Sequence, residues 1–212
     1  MTHQAIEDIS VMRTLPNMTV LETGDATEVE SVCEVADSID GPVYCRMLRG
    51  SVPRLFKSPL QLGKLRTLSE GKDILVFTSG ICTEEAIRAR SALKKFGISI
   101  KHIHVSTLKP INEELFLSLI SEAKSGIISM ENHLVNGGLG SIISDIISKH
   151  GVGKKLIKLG LQDTYAHGGS KGYLSRYYNL DALALIKSIE KLTNSKTNIE
   201  EKDLNTARIE DV

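Results

Sequence analysis

Through the middle of the chain, short unbroken apolar runs alternate with stretches whose apolar residues recur every three or four positions. Ile74-Leu75-Val76-Phe77-Thr78, closed by Ser79-Gly80, has the continuous apolar pattern of a strand buried on both faces. Ala86, Ala89, Leu93 and Phe96 then fall at helical spacing between a capping Thr83 and a terminating Gly97. Ile98–Val105 alternates more openly and predicts a strand with one wetter face. After Pro110, Asn112 is placed to cap a helix over Glu113–Ala123. Gly126–Met130 predicts a third strand. The helix opened by Gly137-Gly138-Leu139-Gly140 carries Ile142, Ile143, Ile146 and Ile147 on one face. Lys155–Gly160 and Leu180–Leu192 complete the series as a strand and a helix. This alternation predicts right-handed crossovers and an α/β fold, a mostly parallel sheet flanked by helices.

The first sixty residues repeat the habit in miniature. Ala5–Leu15 predicts a helix, Thr19–Glu22 a strand, and Asp25-Ala26-Thr27-Glu28 a helix start resembling a capping box; Pro42–Leu48 predicts another strand. Periodicity is lost from Ser51 to Leu68, around Pro53 and Pro59. The organisation expected is a partial α/β unit over 1–57, a linker over 58–67, a complete α/β domain over 68–192, and a polar, disordered tail over 193–212. Two strands are too few to cover a core, so some further surface must complete the first unit.

Composition then narrows the function classes. Lys+Arg and Asp+Glu are 26 each, so no global basic field points to nucleic acid or a membrane surface as partner. Nothing apolar reaches the length of a membrane span, and residues 1–20 lack the pattern of a signal peptide, which leads to the expectation of a cytoplasmic protein. Cys33, Cys45 and Cys82 are odd in number and scattered, a pattern of reduced thiols rather than of disulfides or zinc ligands. His102 and His104 share one strand face without a third ligand, and no metal site is expected there. Gly137-Gly138-Leu139-Gly140 fits neither phosphate-loop pattern and reads as close strand–helix packing, while Glu131 and His133 sit at a strand's C-terminal end, where open α/β sheets place ligands.

Thr2-His3-Gln4, the following Ile6-Glu7-Asp8 and Pro16-Asn17-Met18 resemble a segment of the transketolase family, the thiamine-diphosphate enzymes that transfer two-carbon ketol units between sugar phosphates. Later pieces agree in order: Gly41-Pro42-Val43-Tyr44-Cys45-Arg46, Gly71-Lys72-Asp73, Lys109-Pro110-Ile111 and Glu131-Asn132-His133. The resemblance covers about residues 2–190. It is strongest to the C-terminal subunit of split transketolases, and weaker to deoxyxylulose-phosphate synthase and the β subunits of 2-oxo acid dehydrogenases. It implies a transketolase-type C-terminal domain preceded by part of a pyrimidine-binding domain, with the chain starting inside the latter.

Site residues follow from the resemblance alone. His3 falls on the family's substrate-channel histidine, a group able to take or give a proton near neutral pH. Arg46 falls on the arginine that clamps the sugar phosphate, where a planar fork of donors suits phosphate oxygens. The family's activating glutamate lies upstream of the Thr-His-Gln segment, and its Gly-Asp-Gly…Asn diphosphate motif does not occur here. The expectation is therefore no cofactor-binding or metal-binding residue in this chain. Thiamine diphosphate and Mg²⁺ would be bound only in a complete complex, with an N-terminal transketolase subunit as partner and a homodimer as the minimum assembly. The competing expectation is a non-catalytic oligomerisation or regulatory module of the same family.

Overall fold

A computed structural model describes residues 4–205. Within it, strands β3 (Leu65–Ser69), β4 (Ile74–Thr78), β5 (Ile100–Val105), β7 (Ile127–Leu134) and β8 (Leu156–Leu161) form one sheet in the order β3-β5-β4-β7-β8. The β4–β5, β4–β7 and β7–β8 pairs are parallel, and β3 is an antiparallel edge on β5. This is the α/β architecture expected from the alternation of apolar runs and helical spacing.

Alternate residues of β4 explain why the sheet needs two covers. Ile74 and Val76 join a core with α3 (Cys82–Lys94) and α7 (Ala182–Thr193). Leu75 and Phe77 join the opposite core with α4 (Glu113–Glu122) and α5 (Leu139–Lys149). There Phe77 and Phe116 stack with ring centres 5.3 Å apart. Asn112 caps α4 by accepting the Leu115 amide, as its position predicts. Thr83 does not cap α3, whose first residue is Cys82 after Ile81; its hydroxyl is used in a buried network instead.

The first segment carries α1 (Asp8–Thr14), β1 (Thr19–Glu22), α2 (Ala26–Asp37) and β2 (Val43–Arg46). Asp25 caps α2 through the Glu28 amide, and its other oxygen accepts the amides of Leu55 and Phe56. β1 pairs in parallel with β2 and antiparallel with β6 (Thr107–Lys109), giving a second sheet in the order β2-β1-β6. That third strand comes from a segment the sequence assigns to the later domain.

Two further expectations need correction. The stretch read as a linker is packed: Leu60 is buried, and Leu65–Ser69 is strand β3. Residues 194–205, expected to be disordered, fold back on α7 and α3. The Thr197 amide and hydroxyl both donate to Glu190, and Arg88 donates to Glu201 and to the Asn205 carbonyl. Few apolar residues are needed there, because these polar contacts land on helices already fixed by the core.

Candidate functional site

In the five-stranded sheet, the connection from β4 runs through α3 to β5 on one side, while α4 carries the chain over β4 to β7 on the other. The carboxyl ends of β4 and β7 therefore flank the point where the winding direction reverses, the place where open α/β sheets gather ligands. A cavity of about 540 Å³ opens there. Gly80 and Ile81 after β4, Asn132 on β7 and Leu161 at the end of β8 form one side; Glu22, Arg46 and Arg49 form the other. Residues of α6 (Lys171–Tyr177), absent from the sequence-derived element list, add Lys171 and Leu174 at the rim.

The N-terminal residues lie across this seam. The Ile6 carbonyl accepts the Leu134 amide at 2.9 Å, and Gln4 donates to the His167 carbonyl at 3.3 Å. Gly80 sits at φ +53 directly against Glu22, where a Cβ would come within 2.5 Å of the carboxylate. A side chain at position 80 would thus both strain the turn and fill the joint.

Arg46 is fully engaged by the chain itself. Its Nε donates to Asp8 at 2.9 Å, Nη1 donates to Glu22, and Nη2 donates to the carbonyls of Ala5 at 2.7 Å and Asn132 at 2.8 Å. Burial would lower the guanidinium pKa, but Glu22 and Asp8 outweigh it and hold the group above its ordinary value. The Tyr44 hydroxyl also donates to Asp8, and burial together with that carboxylate raises its pKa to about 12. The second oxygens of Asp8 and Glu22 are buried without a partner. Arg46 therefore organises the wall. Arg49, three positions on, is exposed, lines the same cavity and makes no hydrogen bond or ion pair among the described residues. Sequence spacing offered no reason to separate the two; only the carboxylates brought to Arg46 from α1 and β1 do so. His3 lies outside the described residues.

Behind the opposite edge of β7, Glu131 accepts the Leu139 and Gly140 amides at the start of α5, at 2.7 and 2.8 Å. Its carboxyl fills the anion position that a glycine-opened helix would otherwise present. Burial raises its pKa to about 7 against the two amides that favour the charged form. Arg13 of α1 donates to the Gly137 and Gly138 carbonyls in the same loop. No group of three or more His, Cys, Asp or Glu side chains placed to hold a metal ion occurs among the described residues. No helix among them is long and apolar enough to cross a membrane.

Residues 63–184 match the family model for the transketolase C-terminal domain. The chain is 33% identical over 192 residues to a relative from Methanocaldococcus jannaschii named as a transketolase C-terminal section in a provisional assignment, covering 89% of this chain and 60% of that one. It is 33% identical over 198 residues to a 6-deoxy-6-sulfo-D-fructose transketolase subunit of Clostridium sp. strain MSTE9, covering 92% and 61%. Among solved structures, a split-gene transketolase in an inactive β4 tetramer superposes with a TM-score of 0.82 at 32% identity, covering 92% of this chain and 63% of that one. The chain thus spans about 60% of the length of such relatives.

Proposed function

We propose that this chain, which belongs to the transketolase C-terminal domain family, is the C-terminal section of a split transketolase that acts on sugar phosphates together with an N-terminal subunit. The family depends on thiamine diphosphate, which when bound supplies the carbanion chemistry of two-carbon transfer. We assign the metal and diphosphate ligands to the partner, because the family's Gly-Asp-Gly…Asn motif does not occur in this sequence. What this chain contributes is a shaped, partly charged wall.

The observation that carries the reading is the cavity at the β4–β7 ends, with one uncommitted guanidinium at its rim. Arg49 is free to offer a bidentate fork to a phosphate. Arg46, its donors taken by Asp8, Glu22 and two carbonyls, sets the shape against which the sugar would lie. His3 keeps the proton-handling role that the family resemblance implies. A pair of subunits is the assembly we expect at minimum.

The test is a ketol-transfer assay of the chain with and without a candidate N-terminal subunit. Activity is expected only in the mixture. Arg49→Ala in that mixture should lower kcat/KM for phosphorylated donors by about 10- to 100-fold, the loss of one charge-assisted contact, and leave unphosphorylated donors nearly unchanged. Equal losses for both donor classes would remove Arg49 from the phosphate. Absence of activity with every complementing subunit would favour the non-catalytic module.

A further inference from the structure

A continuous line of buried polar groups runs from α2 along the α3-covered face of the five-stranded sheet. Glu28 Oε2 lies 3.0 Å from His104 Nε2, and His104 Nδ1 lies 2.7 Å from the Thr83 hydroxyl. Thr83 is 2.8 Å from the Thr78 hydroxyl, which is 2.8 Å from His102 Nε2. All five side chains are wholly buried, and His102 Nδ1 has no partner.

The chemistry of each group fixes where the hydrogens go. Glu28 is ionised: burial works against the charge, but hydrogen bonds from His104, Ser106 and the Gly24 amide favour it and hold its pKa below the usual carboxylate range. A carboxylate only accepts. It therefore takes the Gly24 N–H at 2.8 Å, the Ser106 O–H at 2.6 Å and the His104 Nε2–H. In neutral His104, Nδ1 is then bare and must accept from Thr83. The Thr83 oxygen accepts from Thr78, and the Thr78 oxygen accepts from His102 Nε2–H. Each hydroxyl donates once and accepts once. The line ends on a bare His102 Nδ1, and an unpaired buried acceptor is more readily tolerated than an unpaired N–H. With an imidazolium at His104, or with hydrogens running the other way, an unpaired N–H would sit at that buried nitrogen instead.

We propose that this line is a one-way hydrogen-bond lock, with both histidines neutral and protonated on Nε2, that fastens α2 and the residue 22–24 turn to the five-stranded sheet. The lock is tight at the turn: a Cβ at Gly24 would meet the His104 ring at 2.4 Å. It joins the two walls of the cavity, since Thr23 precedes Gly24, and Gly80 and Ile81 precede Thr83. The charged groups around it are Arg66 of β3, whose Nη2 is 3.6 Å from Glu28 and whose guanidinium covers the Phe56 ring at 4.4 Å, and Arg90 of α3, which acts on His102. Arg66 lies beside the Glu28 carboxylate, and burial together with Arg90 opposes a positive charge on His102.

The experiment is nitrogen-15 NMR of the full chain at pH 8, with long-range proton–nitrogen couplings assigning the tautomers. Both His102 and His104 are expected to carry hydrogen on Nε2 alone; hydrogen on Nδ1 of either ring overturns the lock. Thr83→Val removes the central hydroxyl at nearly constant volume. Amides of Ala26–Asp37 should then exchange at least tenfold faster while those of β4 and β7 keep their rates, and Thr83→Ser should restore them. Unchanged α2 exchange, or an equal rise everywhere, would refute the coupling. Should Thr83→Val fail to fold, the wild-type tautomers still decide, and Ser106→Ala should speed α2 exchange in the same selective way.

Discussion

Replacing Arg46 with alanine tests whether this arginine builds the wall or waits for a ligand. The substitution deletes two ion pairs and two bonds to carbonyls in one step. It leaves Asp8 and Glu22, whose side chains are only 10% and 4% exposed, without their cation. One oxygen on each already lacks a partner, so the wall has no spare donor to offer. Removing one member of a buried charge cluster costs about 3–5 kcal/mol, most of it from the charges left behind. Arg46→Lys keeps the charge but cannot reach all four acceptors and should cost less, about 1–2 kcal/mol. Urea unfolding reads the effect directly. A loss under about 1 kcal/mol for Arg46→Ala would refute the wall reading and return Arg46 to the phosphate.

Two further outcomes follow from the α5 entry. A Cβ on Gly138 would lie 1.8 Å from the Glu131 carboxylate, so Gly138→Ala should push that group off its two amides, cost about 2–4 kcal/mol and lower the unfolding midpoint by several degrees; a midpoint within half a degree of the parent would contradict the packing. Glu131, raised by burial to about 7, keeps its proton in the folded chain at pH values where the unfolded chain has lost it. Its contribution is therefore fully present below the unfolded pKa and lost as pH rises toward 7, by at most about 3 kcal/mol. Glu131→Gln should flatten that fall between pH 5 and 8, and a variant with the same slope as the parent would exclude Glu131 as its source.

How much was legible in the sequence depended on whether the determinant was local. β4, α4, α5 and α7 announce themselves because burial on two faces forces unbroken apolar runs, and burial on one face forces helical spacing. The caps at Asp25 and Asn112 are equally local, a side chain and an amide three residues apart. β3 and β6 were missed for the opposite reason. Each is short, and its strand character comes from a partner distant in the chain: β5 for β3 and β1 for β6. The same holds at the site. Nothing near Arg46 in the sequence reveals that Asp8 and Glu22 arrive from 38 and 24 residues upstream to consume its donors. A motif match locates an arginine, while its availability is a tertiary property.

Two strands cannot cover a core, and the chain resolves this by handing β6 back from the later segment, so that Val20 of β1 shares a core with Phe77, Ile103 and Leu108. Asp25 ties α2 to residues 55 and 56, Glu28 ties it to β5, and Arg46 ties β2 to β7 through the Asn132 carbonyl. Each tie is polar and buried, so each is worth most when all its partners are in place. Apolar contacts alone would let the segments slide at small cost, since burial is indifferent to register, whereas these hydrogen bonds accept one arrangement. The cavity is therefore held by directional contacts on both sides. A ligand seated between Arg49 and Lys171 would meet a wall already set in shape, and its binding would not have to bear the cost of ordering it.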